Sequence, residues 1–216
     1  MLGPTDVDDA ATVLARAFAD EPSKLAFLPD ARDRLHFTRG VATGRLRATI
    51  PYATAFGLER DGALAGVAVW HPPAVTPSTG AAAGAMLRAL FAPGRRAYPT
   101  LRRVARTLWD DRAALRRLAA NRSAGARLAR RGQSWYLALL GTDPRHRGQG
   151  VARELLEHVL GRCDVEGLGA WTEATNAGNV AMYERFGFSP VAHGRGGAVI
   201  PDLWILRREP RAPAAR

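Results

Sequence analysis

The chain has 216 residues, 47% of them hydrophobic, and a formal charge of +11, a length that suits one domain with or without a large insertion. No run of about 18 apolar residues occurs, so the sequence excludes a membrane-spanning helix. Cys163 is the only cysteine, which excludes an intramolecular disulfide and cysteine-based metal clusters and predicts a cytoplasmic protein.

The positive charge comes almost wholly from arginine, because Lys24 is the only lysine. Such a basic surface is either compositional background or a binding surface for nucleic acid or an anionic cofactor, and composition alone leaves both open. Residues 1–4 lack a basic region followed by an apolar stretch, so we expect no secretory signal.

Helix and strand signals alternate in the first third of the chain. Thr5 is a suitable N-cap and acidic residues follow it, while Pro22 ends the helical pattern. Asp61-Gly62 is a dipeptide typical of a tight hairpin turn between two strands. The predicted elements are a helix from Thr5 to Glu21, a helix over about 30–47, and strands over 53–59 and 63–70.

Residues 74–132 differ in composition from the rest, since they are rich in Ala and Arg and carry a charged run over 101–131. Apolar residues recur in that run at helical spacing, at Leu101, Val104, Leu108, Leu115 and Leu118. This periodicity predicts two or three packed helices inserted between strands, rather than a basic arm for nucleic acid.

The second half of the chain has sharper signals. An apolar run from Ser134 predicts a buried strand, and leucine and valine at helical spacing after Val151 predict an amphipathic helix. The predicted elements are a strand over 134–141, a helix over 151–163, a strand over 169–172, a helix over 179–186 ended by Gly187, and strands near 188–192 and 199–206.

A loop rich in Gly and Arg joins the strand over 134–141 to the helix that follows it. The first turn of a helix has free N–H groups and a partial positive charge. Glycines allow that backbone to approach a pyrophosphate closely, and arginines add charge. The loop therefore predicts either a diphosphate site or simply a tight strand–helix turn. Arg153 stands where a dinucleotide fingerprint requires its third glycine, and no Gly-Lys-Ser/Thr ending of a nucleotide P-loop is present.

Two motifs carry a resemblance to a known family. The first is Arg147-x-x-Gly150-x-Ala152, and the second is Asn179 followed by Tyr183-x-x-x-Gly187-Phe188. Together they resemble the cofactor motif and the downstream signature of the GCN5-related N-acetyltransferase (GNAT) family. Segments 17–22, 67–70 and 135–137 are also similar to the puromycin-acetylating members of that family, but residues 130–134 depart from their His-Pro-rich segment.

The resemblance implies an α/β (α+β) fold in a single domain over residues 1–216. Its sheet should be mixed and mostly antiparallel, with flanking helices. The family's fourth and fifth strands, here 134–141 and 169–172, should splay apart. The segment 74–132 would be a helical insertion before the fourth strand, and 133–207 would form the acetyl-CoA-binding core. The family's first strand precedes the first helix, so we expect it to be missing here or to lie upstream of residue 1.

The resemblance also implies an acetyl-CoA-dependent N-acetyltransferase in which an amine attacks the thioester directly in a ternary complex. No metal is expected, because the five histidines show no metal-ligand spacing. Leu140, Gly141 and Thr142 match the family positions that pair with the pantetheine arm and polarise the carbonyl. Residues expected at the pyrophosphate are Arg147, Gly148, Gln149, Gly150, Val151 and Ala152. Asn179 matches a polar cofactor contact, and it is equally suited to be the N-cap of its helix.

Tyr183 matches the family's general acid, which would protonate the departing thiolate; its alternative is a core tyrosine. The general base is less defined by the sequence. Glu173 could act through a water or form a salt bridge or helix cap, and Glu59 is a weaker candidate. Trp70, at a strand end, is expected to form a pocket wall.

Three functions stay open at this stage. The first is acetylation of a small-molecule amine, such as an aminonucleoside antibiotic. The second is acetylation of a protein or peptide, and the third is a non-catalytic module that binds coenzyme A or nucleic acid. The placed acid Tyr183 favours an enzyme, so we expect neither nucleic acid nor a membrane as a partner. The sequence does not name the acceptor, because fold and cofactor follow from motifs and the substrate does not.

Overall fold

The computed structural model describes residues 1–21, 24–25, 28–52, 54–73, 102, 106, 109–129, 133–197 and 200–211. Helices lie at α1 (Val7–Phe18), α2 (Ala31–Thr49), α3 (Arg112–Ala129), α4 (Val151–Glu166) and α5 (Ala177–Glu184). Strands lie at β1 (Ala55–Arg60), β2 (Ala63–His71), β3 (Ser134–Thr142), β4 (Gly169–Ala174), β5 (Ser189–Gly194) and β6 (Leu203–Arg208).

The six described strands form one mixed sheet in the order β1-β2-β3-β4-β6-β5. Only β3 and β4 are parallel, and each of the other pairs of neighbours is antiparallel. The β1–β2 hairpin turns at Asp61 and Gly62, with φ of 52° and 72°, the positive values that a type I′ turn requires. The predicted fold class is therefore confirmed.

Strands β3 and β4 separate after four paired positions, the last of which joins Leu137 to Thr172. On its other side β3 stays paired to β2 as far as Thr142. The β2–β3 register shifts so that Val69 pairs with Leu139 and Trp70 with Leu137, which leaves Ala138 as an extra residue in β3. A bulge of this kind bends its strand. The predicted splay of these two strands is confirmed, and it opens a cleft beside residues 138–142.

Helices cover both faces of the sheet because residues of β2 alternate between the faces. Val67 and Val69 belong to the apolar cluster that α1 and α2 complete with Val13, Leu14 and Leu46. Ala68 and Trp70 belong to the cluster on the opposite face, which α4 completes with Leu155, Leu156, Val159 and Leu160. The helices α1 and α2 therefore lie on one face of the sheet and α4 lies on the other, with the cleft between them.

Two helix starts differ from the predictions. A 3₁₀ turn over Pro4–Asp6 precedes α1, and the Gly3 N–H donates to Asp6 Oδ2 at 2.7 Å, so Thr5 is not the N-cap. Asn176, rather than Asn179, is the N-cap of α5, and its Oδ1 accepts from the Asn179 N–H at 2.8 Å. The helix begins two residues earlier than predicted because this asparagine side chain bonds to a backbone N–H three residues later.

Of the predicted insertion, the structure describes one helix, α3, which packs against β5 and β6 at one end of the sheet. Most of 74–111, including Leu101, Val104 and Leu108, lies outside the described residues, so the predicted number of helices stays a prediction. Residues 198–199, at the predicted start of the last strand, also lie outside them; β6 begins at Leu203. Strand β1 is the first strand in the described part of the chain, and the Leu2 N–H donates to the Ala55 carbonyl at 2.9 Å.

Candidate functional site

The loop between β3 and α4, residues 143–150, is built around a buried carboxylate. Asp143 is fully buried, and its Oδ1 accepts from the Arg145 N–H at 3.0 Å, which caps a 3₁₀ turn over Pro144–His146. Gly148 and Gly150 follow with φ of 79° and 78°, a left-handed conformation that glycine adopts without steric cost. Helix α4 begins directly afterwards, so its first free N–H groups lie beside the loop.

Two arginines hold Asp143 in place. Arg145 donates to both carboxylate oxygens, with Nε 3.0 Å from Oδ1 and an Nη atom 2.9 Å from Oδ2, and Arg16 of α1 donates to Oδ2 at 3.1 Å. The Arg145 hydrogen bond, more than any other contact, holds the pKa of Asp143 well below its usual range. A further arginine of the loop, Arg147, donates to the Ala17 carbonyl at 3.3 Å. The loop is therefore tied to α1 at two places.

A cavity of about 610 Å³, here called the loop cavity, lies between this loop, α1 and α5. It brings together most of the site residues expected from the sequence: Leu140, Gly141, Thr142, Arg147, Gly148, Gly150, Val151, Ala152, Asn179 and Tyr183. Gln149 lies outside it, with Oε1 3.3 Å from His146 Nδ1. Lining residues that sequence reasoning did not select are Ala17, Phe18, Asp20, Glu21, His146, Arg153, Asn176 and Met182.

A second cavity of about 340 Å³, here called the helix cavity, lies between α1, α2 and the ends of β3 and β4. Its aromatic lining comes from Phe18, Phe37, Tyr136 and Tyr183, and its charged lining from Glu21, Lys24, Arg45 and Glu173. The two cavities meet, because five residues line both: Phe18, Glu21, Leu140, Asn179 and Tyr183. The meeting point lies beside the part of β3 that has left β4.

Tyr183 is both a core residue and a residue of the cavity lining, so neither alternative from the sequence, a core tyrosine or a general acid, is excluded. It is buried in the core beneath α4, with its ring edge-on to Phe188 at 5.6 Å between centroids. It also lines both cavities. Burial raises the pKa of its hydroxyl to about 12, against a hydrogen bond with Thr172 that lowers it. Thr172 Oγ1 in turn donates to the Leu137 carbonyl at 3.0 Å, at the last pair of the parallel strands.

Two carboxylates line the helix cavity within the described residues, one on β4 and one just after α1. Glu173, half-buried on β4, lines the helix cavity. Glu21, just after α1, lines both cavities; its Oε2 lies 2.8 Å from Lys24 Nζ, and its Oε1 accepts from Thr175 Oγ1 at 3.4 Å. Sequence reasoning used Glu21 to end a helix and within the similar segment 17–22, but not as a site residue. Nothing local could have selected it, because its position depends on how α1 packs against the sheet.

Two expectations about the site were wrong. Glu59 lines neither cavity but a separate groove of about 630 Å³ between α1 and the β1–β2 hairpin. Trp70 is completely buried in the cluster beneath α4, because it shares the β2 face of Ala68. The helices that line the helix cavity, α1 and α2, pack on the face of the sheet opposite to Trp70.

Two features are absent from the described residues. No helix there is long and apolar enough to cross a membrane. No group of three or more His, Cys, Asp or Glu side chains there is arranged to hold a metal ion.

Comparison with family models matches residues 26–188 to the acetyltransferase (GNAT) family. Among curated proteins, the chain is similar to an N-acetyltransferase of Schizosaccharomyces pombe, with 36% identity over 80 residues that cover 36% of this chain and 32% of the relative. It is also similar to the alanine N-acetyltransferase of ribosomal protein bS18 from Escherichia coli, with 35% identity over 78 residues, 31% of this chain and 53% of the relative. The matched regions thus span about a third and about half the length of these relatives.

Solved structures support the same fold over nearly the whole chain. A Corynebacterium glutamicum protein described as histone acetyltransferase HPA2 and related acetyltransferase superimposes with a TM-score of 0.64 at 20% identity, covering 99% of this chain and 96% of the other. A Drosophila melanogaster polyamine N-acetyltransferase, which forms N-acetylagmatine, superimposes with a TM-score of 0.58 at 17% identity, covering 97% of each chain. At these identities the likeness shows the fold.

Proposed function

Because the chain belongs to the GNAT family of acetyltransferases, we propose that it transfers an acetyl group from acetyl-CoA to a primary amine of a small molecule, by direct attack within one ternary complex. One observation carries the proposal. The loop cavity has the features of a diphosphate site, and it opens at Tyr183 into a second, smaller cavity with carboxylates in its lining. Two connected cavities suit two substrates that react with each other.

The residues of the loop cavity fit acetyl-CoA. Glycines at 148 and 150 in the left-handed conformation and the first turn of α4 present backbone N–H groups to an anion. Arg147 and Arg153 add positive charge to the same lining. Beyond Leu137, β3 and β4 share no further register pair in the described strands, so the backbone groups of 138–142 that face away from β2 are available to the pantetheine arm. Bound acetyl-CoA supplies the thioester whose acetyl group is transferred.

Tyr183 is assigned the role of hydrogen-bond donor to the departing sulfur. Its pKa of about 12 keeps the phenol protonated at neutral pH. Complete proton transfer to a thiolate whose own conjugate acid has a pKa of roughly 8.5 is uphill, whereas donation to the charge that develops on sulfur is not. The position of Tyr183 in the lining of both cavities supports this role.

The base that accepts the amine proton is assigned to Glu173 or Glu21. Glu173 is the candidate expected from the sequence, and it lines the helix cavity. Glu21 lines both cavities, which favours it geometrically, and it forms an ion pair with Lys24 at 2.8 Å. Glu21→Gln and Glu173→Gln separate them: the variant that has lost the base should lose roughly 10²- to 10⁴-fold in kcat. It should keep its affinity for acetyl-CoA.

A small-molecule acceptor is favoured by the size of the helix cavity, about 340 Å³, near the lower limit of typical ligand pockets. The fold neighbour that forms N-acetylagmatine acts on such an amine. An aminonucleoside remains the acceptor class suggested by the sequence, although no relative named above is a puromycin acetyltransferase. The second candidate is a peptide N-terminus, which the similarity to the bS18-alanine acetyltransferase favours.

A thiol-release assay with acetyl-CoA tests the proposal against a panel of puromycin, agmatine, amino acids, aminoglycosides and peptide N-termini. Cys163 contributes little background because it is buried, and burial raises the pKa of its thiol to about 12. We expect amine-dependent release with at least one small amine. Release with peptide N-termini alone would support the second candidate and overturn the first, and no release with any amine would overturn both.

A further inference from the structure

The α2 wall of the helix cavity carries polar groups that the proposed acetyl transfer does not use. Thr38, Val41, Ala42 and Arg45 line the cavity, and their spacing of three and four residues places them on one face of the helix. The aliphatic pair Val41 and Ala42 lies between the hydroxyl of Thr38 and the guanidinium of Arg45. An amine that reacts at Tyr183 needs neither of them, so they require a separate explanation.

The Thr38 hydroxyl is buried without a hydrogen bond. The residue is 4% exposed, and its Oγ1 has no partner in the described structure. A threonine inside a helix commonly donates to the carbonyl four residues earlier, as Thr12 does to Asp8 at 2.8 Å and Thr49 to Arg45 at 2.9 Å. Thr38 lines a cavity instead. A buried hydroxyl normally has a hydrogen-bond partner. The free Thr38 hydroxyl therefore points to a ligand group that accepts or donates a hydrogen bond here.

Arg45 is the second unused group. It is half-buried in the cavity lining, and within the described residues neither a carboxylate nor a carbonyl is found as a partner for its guanidinium. Lys24, the other cation of the lining, is paired with Glu21 at 2.8 Å. Among the described residues that line the cavity, the other charged side chains are Arg45 on α2 and Glu173 on β4.

The positive charge of Arg45 acts on His71, at the end of β2. His71 and Tyr136 form a stacked pair with ring centroids 5.9 Å apart, at the paired positions of β2 and β3. Burial, and next to it the positive charge of Arg45, lowers the pKa of His71, so this histidine is neutral at pH 7. A neutral His71 does not compete with an anion for the Arg45 guanidinium.

We propose that the acceptor is a primary amine that also carries an anionic group, a carboxylate or a phosphate, which Arg45 and Thr38 bind. Its amino end then lies toward Glu173, Glu21 and Tyr183. The inference rests on the proposed acetyl transfer and names the substrate class of that same site. A neutral amine in this cavity leaves the Arg45 charge and the Thr38 hydroxyl desolvated and unpaired, and sites of this kind reject the analogue that lacks the matching group.

The test compares matched amines that differ in the anion: tyrosine with tyramine, 5-aminopentanoate with pentylamine, and O-phosphoethanolamine with ethanolamine. The carboxylate and phosphate pairs distinguish the two sources of the anion. For each pair, kcat/KM is measured with the full-length protein and with Arg45→Gln, Thr38→Val and the control Arg47→Gln. Arg47 lies on the same helix but is exposed and lines neither cavity.

We expect the wild-type protein to prefer the anionic member of at least one pair. Arg45→Gln should reduce that preference by roughly 10- to 100-fold and Thr38→Val by about 3- to 10-fold, as expected for a charged and a neutral hydrogen bond. Arg47→Gln should leave the preference unchanged, and the KM for acetyl-CoA should be unchanged in all three variants. Should Arg45→Gln not fold, Arg45→Lys keeps the charge but loses the bidentate geometry, and the preference should again fall.

Two results would overturn the inference. Acetylation of neutral amines with a preference that Arg45→Gln leaves intact would remove the anion site while leaving the proposed acetyl transfer in place. Absence of thiol release with every amine in the series and in the wider panel would remove the proposed function, and the acceptor assignment with it.

Discussion

The Tyr183 hydroxyl is the residue-scale feature on which the proposed chemistry depends. Tyr183→Phe keeps the ring and its edge-on contact with Phe188 and removes only the donor. Because we assign hydrogen-bond donation to a charged sulfur, kcat should fall by roughly 10- to 100-fold, less than the loss typical of full general acid catalysis. The KM for acetyl-CoA should stay nearly constant. Steady-state kinetics paired with a thermal melt checks this, and full kcat with a lowered melting temperature would make Tyr183 purely structural.

The stability contributed by Asp143 is predicted to depend on pH. Because its pKa is lowered in the folded protein, chiefly by Arg145, the carboxylate contributes stability above its ordinary pKa of about 3.9 and loses that contribution as the pH falls below it. Asp143→Asn should reduce the free energy of unfolding at pH 7 by about 1–3 kcal/mol. The difference from the wild-type protein should shrink below about pH 4.

Denaturant unfolding between pH 3 and pH 8 measures this difference. The control is Asp9→Asn, since Asp9 is exposed on α1, and it should change stability by less than about 1 kcal/mol at every pH. A difference between wild type and Asp143→Asn that does not decrease between pH 5 and pH 3 would contradict the role assigned to the Arg145 and Arg16 contacts.

Residues of the loop 143–150 could be predicted from the sequence, whereas those that α1 and α2 bring to the helix cavity could not. The loop is continuous in the chain, and its Gly and Arg spacing carries its chemistry. Arg16 and Asp143 are 127 positions apart, and Glu21, Thr38 and Arg45 reach the site only because α1 and α2 pack on one face of the sheet. Trp70 was misplaced for a related reason: strand alternation tells which residues share a face, but not which face borders the cavity.

Gly150, where the loop meets α4, is predicted to control the backbone conformation that binds acetyl-CoA. Gly150 is left-handed, and a Cβ at this position would meet nothing closer than Glu154 Oε1 at 4.0 Å, so the constraint is backbone strain rather than a clash. Gly150→Ala should cost about 1–2 kcal/mol in the loop conformation and weaken acetyl-CoA binding by roughly 10-fold.

The matched control is Gly161→Ala in the same helix. A Cβ at Gly161 would meet no atom within 4 Å, and its φ is not positive, so this change should raise stability by up to about 1 kcal/mol and leave binding unaltered. Calorimetric titration with acetyl-CoA distinguishes the two variants. Equal affinity in Gly150→Ala and the wild-type protein would show that the loop backbone does not hold the pyrophosphate.

The order and type of the helices and strands were more predictable than the bulge in β3 and the ends of the helices. The β1–β2 hairpin follows from Asp61-Gly62, and β3 and α4 follow from apolar periodicity. The extra residue Ala138 in β3 leaves no mark in a run of apolar residues, so the splay was expected from the family resemblance alone. The start of α5 was missed because Asn176 and Asn179 are both competent caps.

Part of the positive charge of the molecule lies at the two cavities. Arg147 and Arg153 line the loop cavity, Arg16 and Arg145 hold its loop, and Arg45 lines the helix cavity. The composition could not distinguish these arginines from background. The separate strands and helices, by contrast, follow from periodicity along the chain, and their assembly into one mixed sheet was expected from the family resemblance.

The central claim is that acetyl-CoA and a primary amine occupy the two connected cavities at once. Initial-velocity kinetics with both substrates varied tests it most directly, using the best amine of the panel. We predict lines that intersect in a double-reciprocal plot, with one coenzyme A released for each amine acetylated. Parallel lines, which indicate an acetyl-enzyme formed before the amine binds, would contradict the account.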